Sequence, residues 1–195
     1  MTTRSLSSMI AATTVVIGAL LVMIACASGT STDGMPTGTV VAGSPADASP
    51  ITATQGDPVH VGVPAVGIDA AVRPIIGTSG EVDPPTDDDA WWWTERGRPG
   101  SRDTVFIAGH TLDGGGGVFG RLRGVRPGAQ IRVDTTAGSR IYRVDATAVY
   151  SKSELERYDE VWQSVPGRLI LVTCRLDAAG GSTDDNLLVY ASLTG

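Results

Sequence analysis

From Pro58 onward, short apolar runs alternate with polar turns: Val59–Val63, Ala71–Ile76, Thr104–Ala108, Ala129–Asp134, Arg140–Ala148, Leu169–Thr173 and Leu187–Ser192. Runs of this length, too short for a stable helix and rich in β-branched residues, read as strands. The segments between them carry turn chemistry: Gly77-Thr78-Ser79-Gly80, Pro84-Pro85, Pro99-Gly100, Pro127-Gly128 and Ala137-Gly138. Helical periodicity is confined to Val118–Leu122 and Ser153–Tyr158. Seven or eight strands in a body of roughly 140 residues predict an all-β fold, either a closed barrel or a sandwich. No internal repeat is visible.

The amino-terminal pattern differs. Arg4 precedes an apolar stretch from Met9 to Ala25, broken by Thr13, Thr14 and Gly18, so a short positive segment leads into a hydrophobic one and the protein is expected to leave the cytoplasm. The stretch is short for a spanning helix, which takes about 20 residues, and suits a signal peptide or an anchor. Met23-Ile24-Ala25-Cys26 resembles the lipobox of bacterial lipoproteins, with methionine where leucine is usual, and makes Cys26 a candidate for lipid attachment. Residues 1–26 are therefore read as a signal or membrane-anchor segment. Residues 27–57, rich in Ser, Thr, Gly, Pro and Ala, cannot bury enough apolar surface to offset the entropy of ordering and read as a flexible extracytoplasmic linker. Residues 58–195 form the expected folded domain.

Composition adds limits. A charged fraction of 18% and a hydrophobic fraction of 42% are globular values, and a net charge of −6 without a clustered basic face argues against nucleic acid as a partner. Two histidines and one cysteine in the exported body are too few for a convincing zinc site, and no cofactor is expected. Asp83 with Asp87-Asp88-Asp89 lacks the glycine and distal glutamate of a calcium loop and reads as a solvated acidic turn. Gly114–Gly117 lacks the Lys-Ser/Thr of a phosphate loop and is expected to make its loop mobile.

Candidate chemistry lies at two strand ends. Cys174 closes Arg168-Leu-Ile-Leu-Val-Thr-Cys174, and His110 closes Thr104-Val-Phe-Ile-Ala-Gly-His110. A lone thiol outside the cell has no internal disulfide partner, and beside an imidazole it can act as a thiolate nucleophile. A papain-like arrangement does not fit, because there the cysteine precedes the histidine and sits on a helix.

Taken in order, Ile68-Asp-Ala-Ala-Val72, Phe106-Ile-Ala-Gly-His110-Thr111, Phe119-Gly-Arg-Leu122, Val125-Arg-Pro-Gly128, Leu171-Val-Thr-Cys174 and Asp185-Asn-Leu-Leu-Val-Tyr-Ala191 resemble the sortases of Gram-positive bacteria, in particular the class F-like group. The resemblance covers about Pro58 to Ser192. It implies an eight-stranded closed β-barrel with short helical connections, Cys174 as nucleophile at the end of the seventh strand and His110 as acid and base after the fourth. It further implies a membrane-tethered transpeptidase that cleaves an LPXTG-like sorting signal of surface proteins and passes the acyl group, through a thioester, to a peptidoglycan precursor or other amine. No metal is implied for the chemistry. Members also use an arginine at the start of the eighth strand. Here that position reads as Asp184, which implies reduced activity, or a sortase-like barrel that only binds surface peptide or wall.

Arg175 is the nearest substitute, although a neighbour of Cys174 on an extended strand points to the opposite face. Arg73, Arg96, Arg98 and Arg102 are further candidates to enter from a loop. Thr173 and Thr111 flank the two catalytic candidates and are candidates for substrate binding or for orienting the imidazole. His60 lies outside every motif and reads as an ordinary surface or satisfied histidine. Trp91-Trp92-Trp93 reads as strand packing or a cover on the barrel rather than a ligand platform.

Overall fold

The computed structural model describes residues 55–78 and 81–194. The chain runs through β1 (Pro58–Val63), β2 (Ile68–Ile75), β3 (Ala90–Trp93), β4 (Val105–Ala108), β5 (Gln130–Thr135), β6 (Gly138–Ser151), the single-turn α1 (Asp159–Trp162), β7 (Arg168–Leu176) and β8 (Ser182–Leu193). Short 3-10 turns fill several connections. The eight strands close into a barrel in the order β1-β2-β3-β4-β7-β8-β6-β5. Neighbours are antiparallel except β2 with β3 and β4 with β7. The all-β closed barrel is thus the observed fold.

Burial explains which runs alternate and which do not. On β5, Ile131 and Val133 are buried while Gln130 and Arg132 face solvent, the signature of a strand covered on one side. On β7, Leu169 and Leu171 enter the barrel core beside Ile107, Val189 and Trp92. Ile170 turns outward with Phe106, Leu188 and Val161 of α1, and Trp93 and Trp162 pack around them. Both faces of β4 and β7 are covered, so Val105-Phe106-Ile107 and Leu169–Val172 are unbroken apolar runs. Each fully buried side chain of this size contributes about 1.5–3 kcal/mol relative to exposure.

Two elements depart from the sequence pattern. β3 is not among the apolar runs, yet Trp92 is 2% exposed in the core and its indole N–H donates to the Gly97 carbonyl at 2.9 Å. Trp93 meets Phe106 and Trp162 edge-on, with ring centroids 6.0 and 6.2 Å apart. Strand β8 begins at Ser182, well before its apolar run, because Asp185 and Asn186 pair with Ser151 of β6 and Cys174 of β7. Backbone pairing, which carries no hydropathy signal, recruits that polar segment.

Among the described residues, no helix is long and apolar enough to cross a membrane. The anchor segment 1–26, with Cys26, and nearly all of the linker lie outside the described residues.

Candidate active site

Strands β4 and β7 lie side by side in parallel, with Ala108 opposite Val172. The Gly109 N–H donates to the Val172 carbonyl at 3.1 Å, a bond that belongs to this last pair. The ladder ends there, and His110 and Cys174 each follow its last pair by two residues. Alternation fixes the face within the strands: Phe106 and Ile170 are outward, so Ala108, Val172 and Cys174 follow them, while Thr173 is inward and 4% exposed; His110 lies just past the end of β4. Cys174 is a free, half-buried thiol. The segment between β4 and β7 in sequence holds β5, β6 and α1, which is why no local motif joins the two residues.

Hydrogen bonds hold the imidazole. His110 Nε2 lies 2.7 Å from the Pro84 carbonyl oxygen, which can only accept, so Nε2 carries the proton and Nδ1 is left for exchange. The His110 carbonyl accepts from the Phe119 N–H at 2.9 Å. Gly109 is obligatory at this approach, since a Cβ there would lie 2.6 Å from Val118 Cγ1.

Thr173 Oγ1 donates to the Gly109 carbonyl at 2.7 Å. The 2.7 Å contact between the two threonine hydroxyls is therefore a bond donated by Thr111 to Thr173. Both threonines are buried, and their hydroxyls stitch the histidine segment to the cysteine strand. Further along, Asp113 Oδ1 accepts both the N–H and the hydroxyl of Ser182 at 2.8 Å each, and the Gly114 N–H donates to the Gly180 carbonyl at 2.8 Å. The glycine run after His110 is thus tied down; Gly114, Gly115 and Gly117 adopt positive φ, the conformation glycine tolerates best.

The arginines sort by partner. Arg175 Nη1 donates to Asp185 at 2.7 Å. Arg96 bonds the Trp162 carbonyl and lies over the Phe106 ring; Arg98 pairs with Asp57 over Trp92; Arg73 pairs with Asp89. Asp184 is exposed on β8. Beside Cys174 a cavity of about 170 Å³ opens, lined in part by Thr111, Thr173, Arg175 and Arg123. Arg123 was missed in the sequence, where it follows the Phe119–Leu122 motif with nothing to mark it. His60 lies on β1, 3.3 Å from Asp69. Among the described residues no three His, Cys, Asp or Glu side chains group as metal ligands.

Comparison with known proteins identifies the family. A family model described as the sortase domain matches residues 61–194. No curated relative matches the sequence. Among solved structures, sortase A from Corynebacterium diphtheriae is similar at 18% identity and a TM-score of 0.56, over 72% of this chain and 62% of that one. Sortase A of Listeria monocytogenes is similar at 21% identity and a TM-score of 0.56, over 71% and 88%, and sortase C-1 from Actinomyces oris at 19% and 0.56, over 71% and 76%. At these identities the structural likeness is one of fold, and the family match adds the sequence evidence. The barrel and the domain match together make this chain a member of the sortase family, whose activity is in general that of a cysteine transpeptidase.

Proposed function

We propose that the chain is an extracytoplasmic, membrane-tethered transpeptidase that cleaves an LPXTG-like sorting signal and transfers the acyl group to a cell-wall amine. The observation that supports this reading is the parallel β4–β7 register, which pairs Ala108 with Val172 and so brings side by side the two segments that hold His110 and Cys174. Residues 1–26 serve as anchor, by helix or by lipid on Cys26, residues 27–57 as tether and residues 58–195 as catalytic domain. The tether lets an anchored domain search the surface for substrate proteins.

In this mechanism the Cys174 thiolate attacks the Thr carbonyl carbon of the signal, and the electron pair moves onto oxygen. Collapse expels the Gly amine, which takes a proton from His110 Nδ1, and a thioester remains. The acceptor amine attacks that carbonyl, His110 Nδ1 removes its proton, and the sulfur leaves as thiolate. Thr111 and Thr173 hold the two segments in register. Arg175, bound to Asp185, is left with limited freedom to assist.

Asp184 favours a second reading, a sortase-like barrel that binds surface peptide or wall with little turnover, since a carboxylate repels a developing oxyanion. One experiment separates the two. The full chain and its Cys174→Ala variant are incubated with a fluorogenic LPXTG peptide and triglycine. Transpeptidation gives an acyl adduct on Cys174 by mass spectrometry and a transfer product, both lost in the variant; affinity for the peptide with neither adduct nor product supports the binding barrel.

A further inference from the structure

The β8 residue that faces Cys174 across the sheet is Asn186. In the same antiparallel ladder Ile170 pairs with Tyr190 and Val172 with Leu188. Those four side chains pack in the layer outside the barrel, so alternation puts Cys174 and Asn186 on that outer face together. Residues directly opposite on antiparallel strands hold their Cβ atoms about 4.5–5.5 Å apart. Beyond this pair the register shifts, and the next pairing joins Leu176 to Ser182. Asn186 is therefore the β8 side chain that regular pairing sets beside the thiol.

Asn186 is half-buried, and among the described residues its side chain has no hydrogen-bond partner. An amide in that state keeps two N–H donors for an incoming group. Nearby cations are committed elsewhere. Arg175, next after Cys174, is neutralised by Asp185 at 2.7 Å. Arg96 lies over the Phe106 ring and bonds the Trp162 carbonyl. Arg168 lies over the Tyr190 ring, and Tyr190 stands roughly 13 Å up β8 from Asn186 at the usual rise per residue. Strand order completes the arrangement: β7 runs between β4 and β8. The segment that holds His110 thus flanks the thiol strand on one side and Asn186 flanks it on the other.

Resting on the transpeptidase reading above, we infer that Asn186 is a catalytic residue whose side-chain N–H donates to the scissile carbonyl oxygen and holds the oxyanion. When the Cys174 sulfur bonds to the Thr carbonyl carbon, the π pair moves onto oxygen, and the bond from Asn186 Nδ2 strengthens because its acceptor now carries charge. Nδ2 keeps both protons throughout. Collapse returns the pair, the carbon–nitrogen bond breaks and the Gly amine leaves with a proton from His110. In the transfer step the acceptor amine enters where the Gly amine left, gives its proton to His110, and the oxygen again accepts from Asn186. Both amines need the histidine side of β7 and the oxygen needs the other, which is the division that the order β4-β7-β8 supplies.

The test uses the full chain and an LPXTG peptide in single turnover, with Asn186→Ala and the isosteric Asn186→Asp beside the wild type, and reads peptide affinity in the Cys174→Ala background. Asn186→Ala should slow acylation of Cys174 about 10²–10³-fold, the scale of one lost oxyanion donor. The peptide Kd should stay where it is, because the bond gains its strength only as charge develops. Asn186→Asp, which keeps the shape and puts a carboxylate in place of the donor, should be slower still; melting temperatures identify which variants are folded, and either one carries the comparison. Acylation at the wild-type rate in a folded variant overturns the inference while leaving the transpeptidase intact. A loss found in Kd alone also overturns it, by making Asn186 a peptide-binding residue. Absence of any acyl adduct on wild-type Cys174 sinks the transpeptidase reading itself, and the role of Asn186 with it.

Discussion

At the scale of single residues, the proposed mechanism sets Cys174 and His110 against an unfavourable neighbour. Asp184 lies on β8 between Ser182, paired with Leu176, and Asn186, paired with Cys174, and in the proposed mechanism a negative charge there opposes the oxyanion of the scissile carbonyl. Asp184→Arg is accordingly expected to raise kcat/KM for an LPXTG peptide about tenfold or more, the scale of one well-aimed donor to an oxyanion; an unchanged or lower value would show that this side chain lies beyond the field of the reaction. His110→Ala should lower the same quantity by about 10²–10⁴-fold. Away from the site, burial pushes the Tyr142 hydroxyl up to about 12. Its raised folded value means that the neutral form stabilises the fold fully below the unfolded value near 10, and that this contribution is lost as pH rises toward 12. Thermal unfolding followed from pH 9 to 12 should show a steep loss in the wild type, about 2–3 kcal/mol from this group, and a shallower one in Tyr142→Phe.

At the scale of elements, the histidine loop and the β7–β8 hairpin are tied by Asp113 to Ser182 and by Gly114 to Gly180. These bonds are exposed, so each is worth only about 0.5–1.5 kcal/mol. Their weight lies in geometry: the loop carries His110 and the hairpin carries Cys174 near the end of β7. Asp113→Ala should reduce kcat for acylation with a small change in melting temperature, whereas Asp113→Asn, which keeps an acceptor oxygen, should recover most of it. Equal losses in both variants would mean that the charge of Asp113 matters and the latch does not. Ser182→Ala keeps the backbone N–H donor and should be the mildest of the three.

For the whole molecule, stability rests on two apolar layers, one inside the barrel and one between its outer face and α1. Trp92 is the largest side chain of the inner layer and also satisfies the Gly97 carbonyl. Trp92→Ala should cost about 3–5 kcal/mol through the cavity it leaves, read as a drop in urea midpoint. Trp93 packs only in the outer layer, against Phe106 and Trp162, and Trp93→Ala should cost less. A reversed ranking would mean that the outer layer, with its short helix, carries more of the fold than its burial indicates.

Seven of the eight strands are legible in the sequence because hydropathy and turn residues are local quantities, and the pattern of two covered faces on β4 and β7 is written directly into their unbroken apolar runs. Cys174 and His110 are visible as residues at strand ends for the same reason. What the chain order cannot express is adjacency: only closure of the barrel sets β7 beside β4, and only that register brings together the ends of two strands separated by three other elements. The partner of each arginine is decided in the same way, since a long charged side chain selects whatever carboxylate the fold brings within reach. Arg175 finds Asp185 across a hairpin, Arg98 finds Asp57 just before β1, and Arg123, without an ion pair among the described residues, lines the cavity beside the thiol.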